Sequence, residues 1–160
     1  MISSRDYALY LIEFRDRTEK ELREKLTAKG YTEEQIEDTV EFLKNYGYID
    51  DKRYALHFIS DAINLKKWGK IRIRTELLRK GIDRETVEFS LEDAFSEIED
   101  DRVFSIMEKR FSDSDFGNMK ERTRIFNFFM RRGFTPDEIK GAMNKMSAFR
   151  DIDTDSEVTR

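Results

Sequence analysis

The chain has 160 residues, of which 40% are charged, one is proline and none is cysteine. This composition favours long solvated helices, and it excludes a disulfide framework and thiolate metal sites. The 13 phenylalanines exclude a disordered chain, and neither a signal-peptide pattern nor an apolar run of membrane length is present, so we expect a folded cytoplasmic protein.

Three segments, 21–43, 72–94 and 124–146, repeat one pattern. In each of them a basic residue followed by a glycine separates two stretches whose apolar residues are four positions apart. A spacing of four is the helical period, and a glycine supplies the left-handed residue that ends the first helix. The marker pairs are Lys29-Gly30, Lys80-Gly81 and Arg132-Gly133; the matching apolar positions are Leu22, Ile73 and Ile125; Leu26, Leu77 and Phe129; Ile36, Val87 and Ile139; and Val40, Leu91 and Met143.

Helix-start signals agree with this register. Capping boxes are predicted where a threonine precedes a glutamate or glutamine by three residues, and Pro136 falls at the first position of a predicted helix, where its missing N–H costs nothing. The predicted boxes are Thr18 with Glu21, Thr32 with Gln35, and Thr135 with Glu138, and Asn118 with Glu121 suggests the same start in the third copy. Asp83 is the matching cap in the middle copy, and Asp50 or Asp51 caps the helix after Gly47.

One more helical stretch precedes each pair of helices, so each unit of about fifty residues contains three helices. A unit of this size buries little surface alone, and neighbouring units must therefore stack. The sequence predicts an all-α fold of three tandem three-helix repeats, 1–51, 52–98 and 99–148, which form an elongated, curved array. A flexible acidic tail is predicted over 149–160.

Three motifs resemble the RecX family in order and spacing. They are Arg17-Thr18-x-x-Glu21-Leu22-x-x-Lys25-Leu26-x-x-Lys29-Gly30, then Gly47-Tyr48-Ile49-Asp50-Asp51-x-Arg53-Tyr54-Ala55-x-x-Phe58, and then Gly69-x-x-Arg72-Ile73-x-x-Glu76-Leu77-x-x-Lys80-Gly81-Ile82. The third repeat resembles the family more weakly, through Arg131-Arg132-Gly133-Phe134 and the helix pattern. It departs at Phe128, where the middle copy has Glu76.

The resemblance implies a regulatory protein that is not an enzyme. Such a protein binds the RecA recombinase filament and inhibits its recombinase, ATPase and co-protease activities in recombination, DNA repair and the SOS response. We expect a cytoplasmic monomer that has no catalytic residue, no cofactor, no metal and no membrane contact, and that binds DNA weakly and without sequence preference.

The strongest candidate site is a basic segment in the middle of the chain. The net charge of −4 is unevenly spread: residues 1–51 carry 8 basic and 13 acidic residues, whereas residues 66–84 carry eight basic residues against Glu76 and Asp83. Solvated helix faces normally mix charges of both signs, so a patch of one sign indicates a partner-binding or DNA-binding face. The predicted basic face comprises Lys66, Lys67, Lys70, Arg72, Arg74, Arg79 and Lys80.

A weaker basic strip is predicted on the middle helix of the third repeat. Lys120, Arg124 and Arg131 are separated by spacings of four and seven, and Arg132 follows directly. Trp68 is interpreted either as an interface anchor or as a core residue that fills a junction between repeats.

Two other functions remain open at this point. A DNA-binding regulator of helix-turn-helix type is compatible with helices that meet at a glycine turn, although the helices after Gly30 and Gly81 are acidic and would be repelled by phosphates. A helical-repeat scaffold for another protein is the second alternative.

Overall fold

The structure is a computed structural model that describes residues 1–98 and 101–158, with side chains for residues 1–98 and 101–151. Within those residues all regular secondary structure is α-helical, which confirms the predicted fold class. The nine helices are Ser4–Phe14 (α1), Glu19–Lys29 (α2), Glu33–Asn45 (α3), Asp51–Asn64 (α4), Lys70–Arg79 (α5), Arg84–Phe95 (α6), Arg102–Arg110 (α7), Met119–Arg131 (α8) and Pro136–Val158 (α9). None of the described helices is both long and apolar enough to span a membrane.

The helices begin where their capping signals predict. Thr18 and Thr32 each form a complete capping box, in which the hydroxyl accepts from the backbone N–H three residues on and that residue's side chain accepts from the threonine N–H. Thr135 and Glu138 form the same reciprocal pair before α9. Asp50, rather than Asp51, caps α4, because its carboxylate accepts from the N–H groups of Lys52 and Arg53.

The helices also end at the predicted glycines. Gly30, Gly81 and Gly133 adopt φ angles of 99°, 88° and 88°, respectively. These values lie in the left-handed region that side chains with a Cβ rarely adopt. The basic residue before each glycine therefore lies at a helix end: Lys29 is the last residue of α2, and Lys80 and Arg132 directly follow α5 and α8.

The described chain divides into two compact units. Unit 1 comprises Met1–Asp61 and Arg74–Ala94, and unit 2 comprises Ala62–Ile73 and Phe95–Arg160. In unit 1, α1 packs against α2 and α3, and α2 packs against α3. The apolar stripe predicted from the repeat forms the core here: Leu22, Leu26, Ile36 and Val40 are buried with Ala8, Leu11, Tyr31, Leu43 and Ile49.

In unit 2, α9 packs against α7 and α8. Its core is rich in phenylalanine and methionine, and includes the predicted positions Ile125, Phe129, Ile139 and Met143. Rings of Phe111, Phe128 and Phe129 meet edge-on or tilted at centroid distances of 5.1–6.1 Å. These are the arrangements that aromatic quadrupoles favour.

The end of the chain differs from the sequence pattern. Helix α9 continues through Val158, whereas the sequence predicted no regular element after residue 148. Residues 99 and 100, at the predicted boundary between repeats two and three, and residues 159 and 160, at the end of the predicted tail, lie outside the described residues. The repeat boundaries, the flexibility of the tail and the elongated shape stay predictions.

Candidate partner-binding site

The predicted basic face is divided between the two units. Arg74, Arg79 and Lys80 belong to unit 1, and Lys66, Lys67, Lys70 and Arg72 belong to unit 2. The local surroundings of the two groups differ, so each group is described separately.

The three basic residues in unit 1 are neutralised by neighbouring carboxylates. The guanidinium group of Arg74 donates to both carboxylate oxygens of Glu88, at 2.6 and 3.2 Å, and that of Arg79 donates to Glu76 at 2.5 Å. Lys80 donates from Nζ to Glu21 at 3.2 Å. Burial disfavours the charge on Lys80, but the hydrogen bonds and charges of Glu21 and Tyr54 together outweigh it and raise the pKa of the ammonium group.

In unit 2 a close backbone contact brings the basic segment to the end of α8. The N–H of Gly69 donates to the carbonyl oxygen of Arg132 at 2.6 Å, and the N–H of Ile71 donates to that of Gly133 at 3.2 Å. A Cβ on Gly69 would lie 2.4 Å from the Gly133 carbonyl oxygen, and a Cβ on Gly133 would lie 2.3 Å from the Arg72 nitrogen. Only a pair of glycines allows the start of α5 to approach α8 this closely.

The contact unites parts of the two predicted basic regions. Arg72 donates from Nη1 to the carbonyl oxygen of Arg131 at 3.1 Å, across 59 positions in sequence. Four guanidinium groups, those of Arg72, Arg110, Arg131 and Arg132, lie near one another; we call them the arginine cluster. Burial lowers the pKa of Arg132, and the positive charges of Arg110, Arg72 and Arg131 lower it further.

Aromatic rings, rather than acids, lie against three of the four members of this cluster. The Cζ atoms of Arg132 and Arg110 lie 3.5 and 4.7 Å from the centroid of the Phe128 ring, and the Cζ of Arg72 lies 4.0 Å from the Trp68 ring. A guanidinium stacked through its face keeps the N–H donors along its edge available. Phe128, the residue at which the third repeat departs from the family pattern, therefore forms a support for cations.

The arginine cluster has no internal counter-charge. Within the described part of the chain, none of its four members forms a salt bridge with a carboxylate. Like charges held together without an acid repel one another unless an anion binds. The geometry therefore suits an anionic group, which the edges of the guanidiniums can bind with paired hydrogen bonds.

The remaining predicted residues lie around the cluster or away from it. Lys66 packs over the Trp68 ring at 4.4 Å, and Lys70 lies 5.6 Å from the Phe95 ring. Lys120 and Arg124 are exposed on α8, and no described contact joins them to the cluster. Arg110 was missed by the sequence analysis; the only signal was the pair Lys109-Arg110 at the end of a predicted helix.

Comparison with known proteins identifies the family. Two family models match, "RecX, first three-helix domain" over residues 5–43 and "RecX, second three-helix domain" over residues 50–91. Together they cover half of the chain. The chain belongs to the RecX family.

RecX relatives align over most of the chain. It is 31% identical over 156 residues to the regulatory protein RecX of Clostridium botulinum, covering 96% of this chain and 73% of that protein. It is 36% identical over 138 residues to RecX of Finegoldia magna, with coverages of 84% and 67%, and 35% identical over 147 residues to RecX of Vibrio vulnificus, with coverages of 90% and 93%.

A solved RecX structure has the same fold. The crystal structure of RecX from Lactobacillus salivarius superimposes with a TM-score of 0.75 at 22% identity, covering 91% of this chain and 95% of that one. The family models and the relatives confirm the family predicted from the motifs. Regulatory proteins of the RecX family are not enzymes.

Proposed function

We propose that this RecX homologue binds the RecA filament and inhibits its recombinase, ATPase and co-protease activities, and so acts in recombination, DNA repair and SOS control. Membership of the RecX family supports a regulatory role. The proposed partner follows from the family resemblance, and the proposed contact follows from the charges of unit 2.

The observation that carries the contact is the arginine cluster. Three of its four guanidiniums lie over the rings of Trp68 and Phe128, Arg72 also donates to the Arg131 carbonyl oxygen, and none of the four pairs with a carboxylate of the described chain. A RecA filament offers two kinds of anionic surface, the acidic side chains of the protein and the phosphates of the bound DNA. Occupation of such a surface would obstruct strand exchange, ATP turnover or filament growth.

Strand-exchange and ATPase assays with RecA from the same source test the proposal. We expect the wild-type chain to inhibit both activities. Lys70→Glu combined with Arg131→Glu should abolish inhibition, because like charges would then meet at the interface. Both side chains are exposed, and exposed substitutions usually change stability by no more than about 0.5 kcal/mol each.

The matched control is Lys25→Glu combined with Lys140→Glu. It makes the same change in net charge at two exposed positions away from the cluster. Arg74 is unsuitable for this test, because its replacement by glutamate would face Glu88 and disturb unit 1 itself. Full inhibition by a folded Lys70→Glu/Arg131→Glu protein would contradict the proposed contact, and absence of inhibition by the wild-type chain would contradict the proposed function.

The helix-turn-helix alternative predicts a different result. The helices in the recognition position of unit 1 are α3 and α6, and exposed acids line α3 at Glu33, Glu34, Glu37, Asp38 and Glu41. Such a face would be repelled by the phosphates that flank a major groove. Strong preference for one duplex sequence would nevertheless favour the regulator, and tight binding of a protein other than RecA would favour the scaffold.

A further inference from the structure

Unit 2 contains an open groove beside the arginine cluster, between the end of α4 and helix α7. Its volume is about 630 Å³. Three isoleucines, Ile63, Ile98 and Ile106, line it and are only partly buried, so together they form an aliphatic floor. Apolar surface that converges in a concave site is the usual basis for binding a ligand.

Cations dominate the rim of the groove. Lys67, Arg102, Lys109 and Arg110 line it, and Asp101 is the one carboxylate among the described lining residues. Among the described residues, none of these four cations forms a salt bridge. The groove therefore combines an apolar floor with an unbalanced positive rim.

The structure fixes the guanidinium of Arg102 and gives Lys67 an unusual backbone conformation. Arg102 is half-buried and donates from Nη2 to the Trp68 carbonyl oxygen at 2.9 Å, while burial lowers the pKa of its guanidinium. Lys67 has a φ angle of 57° and is the one non-glycine residue with positive φ in the described chain. Glycine and asparagine tolerate this conformation better than lysine does.

We propose that this groove binds an acidic peptide segment of the protein partner, with aliphatic or aromatic side chains on the isoleucine floor and carboxylates paired with the rim. A phosphodiester chain would use the rim but not the floor. Its bases stack on aromatic rings, and no aromatic residue lines the groove. A peptide that carries both acids and apolar side chains matches floor and rim together. Assigning the segment to the regulated partner rests on the proposed function.

Binding of labelled short peptides to the full chain, measured by fluorescence anisotropy, tests the groove without RecA. The probes are a glutamate-rich peptide with two leucines, the same peptide with glycines replacing the leucines, and an oligothymidylate of equal charge. We expect the leucine peptide to bind about tenfold more tightly than the glycine peptide, because two partly buried leucines contribute apolar contact area. We also expect it to bind more tightly than the oligothymidylate.

Lys67→Asn combined with Lys109→Gln tests the rim. Asparagine suits the left-handed backbone, and Lys109 is exposed, so we expect the melting temperature to be maintained or raised. Affinity for the leucine peptide should nevertheless fall by about fivefold to tenfold, since two exposed ion pairs are lost. Lys25→Gln with Lys140→Gln, which remove the same charge elsewhere, should bind like the wild type.

Equal binding of the leucine and glycine peptides, or wild-type affinity in the folded Lys67→Asn/Lys109→Gln protein, would overturn the proposal. Tighter binding of the oligothymidylate would overturn it in favour of nucleic acid. RecA inhibition is measured separately with the same variants. Peptide binding without any RecA inhibition would support the groove and contradict the proposed function, whereas full RecA inhibition by the rim variant would show that the segment does not belong to RecA.

Discussion

At the scale of single residues, the three repeat glycines have the same backbone conformation but different surroundings. Gly30 has φ 99°, and a Cβ added to it would meet nothing within 4 Å, whereas a Cβ on Gly133 would overlap the backbone of Arg72 at 2.3 Å. Gly30 is thus needed for its torsion angle alone. Gly133 is needed both for its torsion angle and for the close approach of α5.

Gly133→Ala should therefore destabilise the protein more than Gly30→Ala. We expect a cost of about 1 kcal/mol for alanine at Gly30, from the left-handed backbone. At Gly133 the backbone overlap adds to this, for a total of about 3 kcal/mol or more. Thermal unfolding monitored by circular dichroism measures the difference, and equal melting temperatures for the two variants would show that the α5–α8 approach is absent in solution.

Asp51 gives a pH-dependent prediction. Its carboxylate accepts from the N–H of Glu19 at 3.1 Å, but burial, together with the charges of Glu19 and Asp50, raises its pKa. The unfolded chain therefore releases this proton at a lower pH than the folded chain, and the contribution of Asp51 to stability is lost as the pH rises through its folded pKa. Asparagine retains the acceptor oxygen without the charge.

We expect Asp51→Asn to be more stable than the wild type at pH 7, and the difference to vanish in acid, below the unfolded pKa of the carboxyl group. Urea denaturation at several pH values measures this difference. A wild-type protein more stable than the variant at pH 7 would contradict this prediction. It would show that the attraction between the charged carboxylate and the N-terminus of α4 outweighs the cost of burying the charge.

At the scale of elements, the start of α2 does more than cap a helix. The hydroxyl of Thr18 is fully buried, accepts from the N–H of Glu21, and also donates to the carbonyl oxygen of Lys80 at 2.7 Å. The start of α2 thus contacts the Lys80-Gly81 end of α5 in unit 1. The start of α5 contacts the Arg132-Gly133 end of α8 in unit 2, so the basic residue and glycine mark a docking point in both units.

Thr18→Ala should cost more stability than Thr32→Ala, although both remove the threonine of a capping box in unit 1. Thr32 is exposed, and the described bond of its hydroxyl lies within its capping box, so we expect about 1 kcal/mol for its loss. Thr18→Ala also leaves the Lys80 carbonyl group without this donor, and we expect about 2–3 kcal/mol. Chemical denaturation of the two variants provides the comparison; similar values would mean that the contact with α5 contributes little.

At the scale of the whole molecule, charge is the property that relates structure to partner. The chain is acidic overall, yet among the described residues Arg72, Arg110, Arg131 and Arg132 of unit 2 form no salt bridge, whereas carboxylates neutralise Arg74, Arg79 and Lys80 of unit 1. A cation that neutralises a phosphate releases counter-ions from the DNA, and a carboxylate partner competes with the phosphate for the cation. The net charge therefore gives a poor estimate of the strength of DNA binding.

We expect weak DNA binding that is independent of sequence and falls steeply with salt. Arg131→Gln should reduce the slope of log affinity against log salt by about one unit. Arg79→Gln, which removes a guanidinium paired with Glu76, should change it much less. Titration of a labelled duplex at several salt concentrations measures both slopes, and identical slopes for the two variants would exclude the arginine cluster as the DNA contact.

The sequence by itself determined the helices, their ends and the family. Periodicity, capping boxes and left-handed glycines act within a few residues of chain, so they can be recognised without knowledge of the partner helices. The sequence also identified the Lys66–Arg72 segment and the Arg131-Arg132 pair as basic, each by itself. The unexpected extension of α9 shows the limit of such patterns where side-chain periodicity is weak.

Only the tertiary structure decided which cations pair with carboxylates and which cations lie close together. Arg74, Arg79 and Lys80 form pairs with Glu88, Glu76 and Glu21, and two of these pairs join different helices. Arg72 meets Arg131 because Gly69 and Gly133 allow two backbones to approach, and Arg110 joins them over the ring of Phe128. Contacts of this kind depend on how helices cross, which is set by the packing of many side chains together and not by any local run of residues.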